Sequence, residues 1–307
     1  MNNIRSAAKL TLKGFLIGTS DIVPGVSGGT MALVLGIYRD LIGAIESFSW
    51  RWLLSILTLR WKLIMTIPHF HFLIPLAFGI LLALFFFTQV VILADLIISH
   101  ANLVFGIFFG LVLGSTFILL RQIKNIEPRI IVAFILGLTL GAIVTNATPN
   151  TTPEDAWFLF VSGILAGSAM IMPGVSGAFV LLILGKYSLV LDAIHRFDIV
   201  TLSPFVLGVA FALIFFVKLV ATMLQKYEDV SLAIISGFLV TSLWIIWPFQ
   251  DRKYEIVGDK AFLIQSYPIT PNIDFNLFTV TILIIAAFIL VVKINRLSNL
   301  QREKNNN

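Results

Sequence analysis

The chain has 307 residues, 58% hydrophobic and 12% charged, with 27 phenylalanines, no cysteine and a formal net charge of +5. An ordinary soluble domain is about one quarter charged, so this composition excludes a water-soluble globule. It also excludes disulfides, thiol nucleophiles and thiolate-bound metals, and the four histidines lack any HExxH-like spacing.

In chain order, the apolar run after Lys13 enters GTSDIVPGVSGGT without the small-residue site at which a signal peptide is cleaved. That run is expected to belong to the mature protein. The apolar region 14–45 is interrupted by Pro24, Gly25, Val26, Ser27 and Gly28, which an unbroken helix would not choose. Between Lys13 and Arg39 lie 25 residues, too few for two crossings and a turn. The region is therefore a broken spanning helix or a re-entrant hairpin. Residues 46–70 interleave Trp50, Trp52 and Trp61 with Arg51, Arg60 and Lys62, the pattern of an amphipathic helix lying at an interface.

Three spans are predicted at 72–94, 102–120 and 130–146, followed by the polar loop NATPNTTPEDA at 146–156. A second interrupted region, 157–194, carries Pro173, Gly174, Val175, Ser176 and Gly177 near its middle. Spans at 204–224, 230–249 and 277–293 complete six crossings, with a loop at 250–276 and a fraying polar tail at 295–307. Treating 14–45 as a hairpin with both ends inside puts fifteen Lys and Arg on the cytoplasmic side and five outside, with Lys218 within a span. That bias favours the hairpin and places both termini in the cytoplasm.

Self-similarity is the strongest signal. Residues 21–45 align without a gap to 170–194, with 12 identities in 25 positions, and Gly14 and Gly18 map by the same offset onto Gly163 and Gly167. Further on, Pro75, Gly79, Ala83 and Phe87 match Pro204, Gly208, Ala212 and Phe216. The halves are 1–146 and 147–307, each a hairpin followed by three crossings. Three is odd, so the second half enters from the opposite side. An inverted repeat with discontinuous helices meeting near midplane is the architecture of secondary transporters.

At each tip, backbone groups freed by the break need partners in protein, water or ligand. Pro24, Gly25, Pro173 and Gly174 form the tips, and Ser27, Gly28, Gly29, Thr30, Ser176 and Gly177 are the candidate phosphate-binding groups. The competing view is that these glycines serve tight helix packing. Asp21, with Thr19 and Ser20, lies beside the first tip and suits proton or sodium coupling, or an internal cap; its counterpart is Met170. Lys218, which matches Gln89, is a charge partner for an anion or a snorkelling side chain. Arg39 and Lys186, near the hairpin exits, are candidates for attracting an anion or for anchoring at the surface.

The segment SDIVPGVSGGTMALVLGIYRDLI at 20–42, with the second PGVSG at 173–177, resembles the bacterial and archaeal polyprenyl-phosphate transporter family. The resemblance covers nearly the whole chain. It implies a multi-pass cell-membrane flippase, not an enzyme, that returns undecaprenyl phosphate from the outer to the cytoplasmic leaflet for reuse in cell-wall assembly. It implies no cofactor and no nucleic-acid partner, only the lipid phosphate and surrounding membrane. Ala178, where the first copy has Gly29, makes the tips unequal. Two alternatives stand beside this reading. They are an ion-coupled carrier of a small anionic solute and a lipid-phosphate phosphatase, although the chain has no cluster of histidines and carboxylates in a polar loop.

Overall fold

The computed structural model describes residues 2–23, 26–89, 99–147, 152–257 and 260–306. The first half contains α1 (Asn2–Ile22), α2 (Gly28–Val34), α3 (Tyr38–Glu46), α4 (Trp50–Leu57), α5 (Trp61–Thr66), α6 (Phe70–Gln89), α7 (Ala101–Gln122) and α8 (Pro128–Asn146). The second contains α9 (Ala156–Ile171), α10 (Gly177–Ile183), α11 (Tyr187–His195), α12 (Ile199–Lys226), α13 (Glu228–Ile245) and α14 (Phe275–Asn306), with strands β1 (Gln250–Val257) and β2 (Lys260–Pro268) before α14.

Among the described residues, six helices are long and apolar enough to cross a membrane: α6, α7, α8, α12, α13 and α14. The chain is a polytopic, almost entirely helical membrane protein. About half of α7 and α13 is buried, which makes them the central pair. The other four keep large apolar side chains on the outside, among them Phe78 and Phe85 on α6, Ile135 on α8, Phe215 on α12 and Ile282 on α14. Such surfaces suit lipid, where apolar contact alone gives helices little reason to associate and close backbone approach decides the pairing.

Glycine supplies that approach. A Cβ on Gly14 would sit 2.1 Å from the Leu76 carbonyl oxygen, and one on Gly79 2.0 Å from that of Thr11, so α1 and α6 touch backbone to backbone. The second half repeats the arrangement between α9 and α12, with Gly163 at 2.2 Å from the Phe205 oxygen and Gly208 at 2.0 Å from that of Phe160. Thr11 and Phe160, like Leu76 and Phe205, are equivalent under the repeat offsets. Even the prolines correspond, Pro75 and Pro204 each being the sixth residue of its helix. Between the halves α8 packs on α13, and α7 on both α14 and α13.

Several expectations need correction. The interfacial segment 46–70 is two short helices rather than one, because Leu59 turns the chain with φ 51° between α4 and α5. The predicted loop 250–276 contains an antiparallel β-hairpin, pairing Gln250 with Pro268 and Val257 with Lys260. Its Tyr, Ile, Val and Phe content favours strands, a pattern obscured by the charges and the prolines at 268 and 271. Arg252 anchors the hairpin: its guanidinium donates to the Trp247 and Pro248 carbonyls and lies 3.8 Å above the Phe105 ring. The tail continues as helix to Asn306, consistent with its Leu, Gln, Arg, Glu and Lys content. The predicted span 230–249 ends as helix at Ile245, and the part of span 72–94 beyond Gln89 lies outside the described residues.

Among the described residues one helix pair is bent as a broken or re-entrant span is: α10 and α11 meet at 114° around Gly185, where φ is 61°. The first half has the same order of pieces, α1, break, α2, break, α3, with Gly36 at φ 67° in the second break.

Candidate functional site

The short helices α2 and α10 both begin at the serine singled out by the repeat. Ser27 is extended (φ −117°, ψ 140°) and its Oγ accepts from the Gly29 amide at 3.2 Å, while Ser176 Oγ accepts from the Phe179 amide at 3.4 Å. These are N-caps, satisfying helix amides that hydrocarbon cannot. Pro24 and Gly25 lie outside the described residues; Pro173 is fully buried and Gly174 turns the second tip at φ +89°.

The two tips touch. The Gly174 amide donates to Thr30 Oγ1 at 2.8 Å, joining residues 144 positions apart. A Cβ on Gly29 would lie 3.2 Å from the Ile171 carbonyl oxygen and 3.3 Å from that of Met170, so α2 begins against the end of α9. Tyr38 adds a second link, its hydroxyl donating to the Ile171 carbonyl at 3.1 Å. Ser27, Gly28, Gly29, Thr30 and Gly177 are buried, and Ser176 is half-buried.

Asp21 and Met170 do the same steric work with opposite chemistry. The Gly28 amide donates to Asp21 Oδ1 at 2.6 Å, and a Cβ on Gly28 would sit 2.7 Å from Asp21 Oδ2. In the second half a Cβ on Gly177 would sit 2.4 Å from Met170 Cγ. Each side chain lies over the first glycine of the short helix that follows, and each is exposed at the protein surface. The first tip thus carries a carboxylate on an amide that needs an acceptor; the second carries a thioether.

The remaining candidates are spread out. Arg39 forms an ion pair with Glu228 at the start of α13, and Lys124 Nζ stands 3.9 Å from the other carboxylate oxygen. Lys186 is 2% exposed, donates from Nζ to the Thr152 carbonyl at 2.9 Å and lies 5.8 Å above the Phe158 ring. Thr152 in turn donates to the Leu184 carbonyl, closing the end of α10 as Lys13, donating to the Leu35 carbonyl at 3.0 Å, closes the end of α2. Lys218 is exposed on α12, a helix whose 28 residues outrun a bilayer of about 30 Å. Among the described residues no group of histidine and carboxylate side chains is arranged to hold a metal.

Sequence reasoning passed over Tyr38 and Glu228. Tyr38 had a signal, since it matches Tyr187 inside the repeat; Glu228 had none, because its partner is 189 residues away.

Residues 17–262 match the family described as VCA0040-like, undecaprenyl phosphate translocase-like. The chain belongs to that family. Similar proteins include a polyprenyl-phosphate transporter of Vibrio cholerae, 34% identical over 266 residues, which is 83% of each chain. Another, of Staphylococcus aureus, is 34% identical over 260 residues, covering 77% of this chain and 85% of the relative. No solved structure matches. The family and both relatives are transporters rather than enzymes, so a transporter related to polyprenyl phosphate replaces the phosphatase alternative.

Proposed function

We propose that this protein carries undecaprenyl or a similar polyprenyl phosphate from the outer to the cytoplasmic leaflet, binding the headgroup between two tips of an inverted repeat. The observation that carries the reading is the contact between Thr30 and the Gly174 amide, which brings the duplicated motifs face to face. The helix pairing supports a two-fold relation between the halves: exchanging equivalent helices maps α1–α6 onto α9–α12, and α8–α13 onto α14–α7, and the odd number of spans in each half makes that relation an inversion. Successive spans then put the ends of α2 and α10 on opposite faces, and the basic residues assign the face with Arg39 and both termini to the cytoplasm.

The substrate joins an anionic phosphate to a long apolar tail. Only the phosphate needs a polar path, because the tail can remain in lipid against surfaces such as those of α6 and α12. Ser27, Gly28, Gly29, Thr30, Ser176 and Gly177 would offer amides and hydroxyls to the phosphate, with Pro24, Gly25, Pro173 and Gly174 shaping the tips. Asp21 already holds the Gly28 amide, so a phosphate entering there must displace a carboxylate of like charge. Protonation of Asp21, or sodium bound to it, would ease that exchange, which makes Asp21 the candidate coupling residue. Arg39 and Lys186 would serve as cations at the two exits. Lys218, exposed on α12, fits a headgroup anchor in the membrane interface better than a site residue.

The test is reconstitution in liposomes, following leaflet access of undecaprenyl phosphate under imposed proton or sodium gradients. Wild type should translocate, Ser27→Ala should slow it, and Gly28→Leu should abolish it, since a side chain there collides with Asp21. Translocation by wild type no faster than in protein-free liposomes would sink the proposal.

A further inference from the structure

A cavity of about 110 Å³ lies between the halves at the Arg39 end of the bundle. Its walls, which include the end of α2, are mostly apolar side chains, and Tyr38 and Arg39 from α3, Ser115 and Gln122 from α7 and Asn295 from α14 are their polar members. The seven residues of α2 connect it to the first tip, a rise of about 10 Å. Tyr38 belongs to both places, since its hydroxyl bonds the end of α9 beside the tips.

We infer that Arg39, the cationic side chain in the cavity wall, marks a second station for a phosphomonoester headgroup, with Lys124, which shares Glu228 with it, as the second cation and Glu228 as the internal anion that the phosphate displaces. The inference rests on the proposed lipid-phosphate transport. The argument is one of charge. Glu228 brings a single negative charge to two cations, Arg39 in direct contact and Lys124 at 3.9 Å. A phosphomonoester carries roughly −1.5 to −2 near pH 7 and three acceptor oxygens, so it offers each cation close to a full negative charge, where the carboxylate divides one between them. A phosphodiester carries one charge and gains nothing over Glu228. The station therefore selects a lipid monophosphate over the phosphodiester lipids around it.

Geometry suits an exchange. The Arg39 and Glu228 side chains are 50% and 37% exposed, and ion pairs so open to solvent contribute little to stability. Arg39 presents a planar fork that fits two phosphate oxygens at once, with Gln122 and Asn295 supplying neutral amides beside it. Asp229 accepts from the Lys124 backbone amide at 3.4 Å, which holds the loop after α7 against α13 whether or not Glu228 is engaged.

The experiment titrates full-length protein in detergent with farnesyl phosphate and with its methyl ester, a diester of the same chain. Wild type should bind the monoester more tightly. Glu228→Gln should tighten monoester binding several-fold, Arg39→Gln should weaken it tenfold or more, and Lys124→Gln should bring the two ligands to near-equal affinity. Lys124 is 75% exposed, so its substitution leaves the fold intact even if loss of Glu228 does not. Monoester binding by a folded Glu228→Gln variant no tighter than wild type, or undiminished discrimination by Lys124→Gln, overturns the station. Liposome translocation separates the two readings. Transport by wild type with no change in these variants' binding removes the station alone, whereas a monoester preference without transport removes the proposed function.

Discussion

Replacing Thr30 by valine keeps the shape of a 2%-exposed side chain and deletes the acceptor for the Gly174 amide. Leaving a buried donor without a partner costs roughly 1–3 kcal/mol in proteins generally. Hydrogen bonds between side chains in membrane helices average about 0.6 and reach about 1.7 kcal/mol, because the opened state also finds partners. An intermediate value of ~1 kcal/mol corresponds to roughly a fivefold change in the local opening equilibrium. Amide hydrogen exchange in micelles, followed by mass spectrometry on a peptide spanning Gly174, reads that change directly. Thr30→Val should exchange about fivefold faster at Gly174, whereas Thr30→Ser, which keeps the hydroxyl, should stay near wild type. If the valine variant exchanged at the wild-type rate, the bond would not join the tips, and the reasoning built on their contact would fail.

Four further outcomes follow from the structure. Gly79→Ala and Gly208→Ala should each lower stability by about 1–3 kcal/mol or more, and by similar amounts, since each new methyl meets a carbonyl oxygen at 2.0 Å; thermal unfolding in micelles that spared one but not the other would contradict equivalent helix pairs. Arg252→Gln should loosen the β-hairpin, speeding exchange at 250–257 over wild type, because it removes the contact above Phe105 and the bonds to two carbonyls. Asp198 caps α12 through Val200 and Thr201, and the Thr201 hydroxyl and amide hold its carboxyl below the usual range. A depressed carboxyl stabilises above its unfolded pKa and loses that effect as pH falls through the folded value, so wild type should out-melt Asp198→Asn by a constant margin from pH 8 to 5, narrowing only below about pH 4. Finally, a chain without cysteine permits clean labelling: single cysteines at Ser6 and Ile45 should react with an impermeant reagent from the same side, and opposite sides would refute a hairpin at 14–45.

Much of the scaffold is legible in the sequence because lipid imposes simple rules. Runs near 20 apolar residues mark the six spans, and a duplicated Pro-Gly-Val-Ser-Gly marks both serine caps. The glycines at 14, 79, 163 and 208 are legible as matched pairs, and their close contacts show that for them the packing explanation is the right one. What the sequence hides is partnership at a distance. Nothing near Thr30 announces Gly174 and nothing near Arg39 announces Glu228; Asp21, which the sequence leaves between ion coupling and an internal cap, gains a named partner only when the chain turns and lays Gly28 upon it. The β-hairpin is hidden for a local reason: alternation broken by an irregularity between Lys253 and Tyr254 does not register as strand.

The glycine contacts also divide the molecule mechanically. With carbonyl oxygens standing where side chains would be, α1 cannot slide along α6, nor α9 along α12, without driving backbone into backbone. Each pair behaves as one stiff lever. The glycine corners at 36 and 185, where φ is 67° and 61°, lie outside these contacts. The tips ride on the ends of these levers, so a small rocking of one lever against the α7–α13 core would shear the Thr30–Gly174 contact rather than stretch a helix.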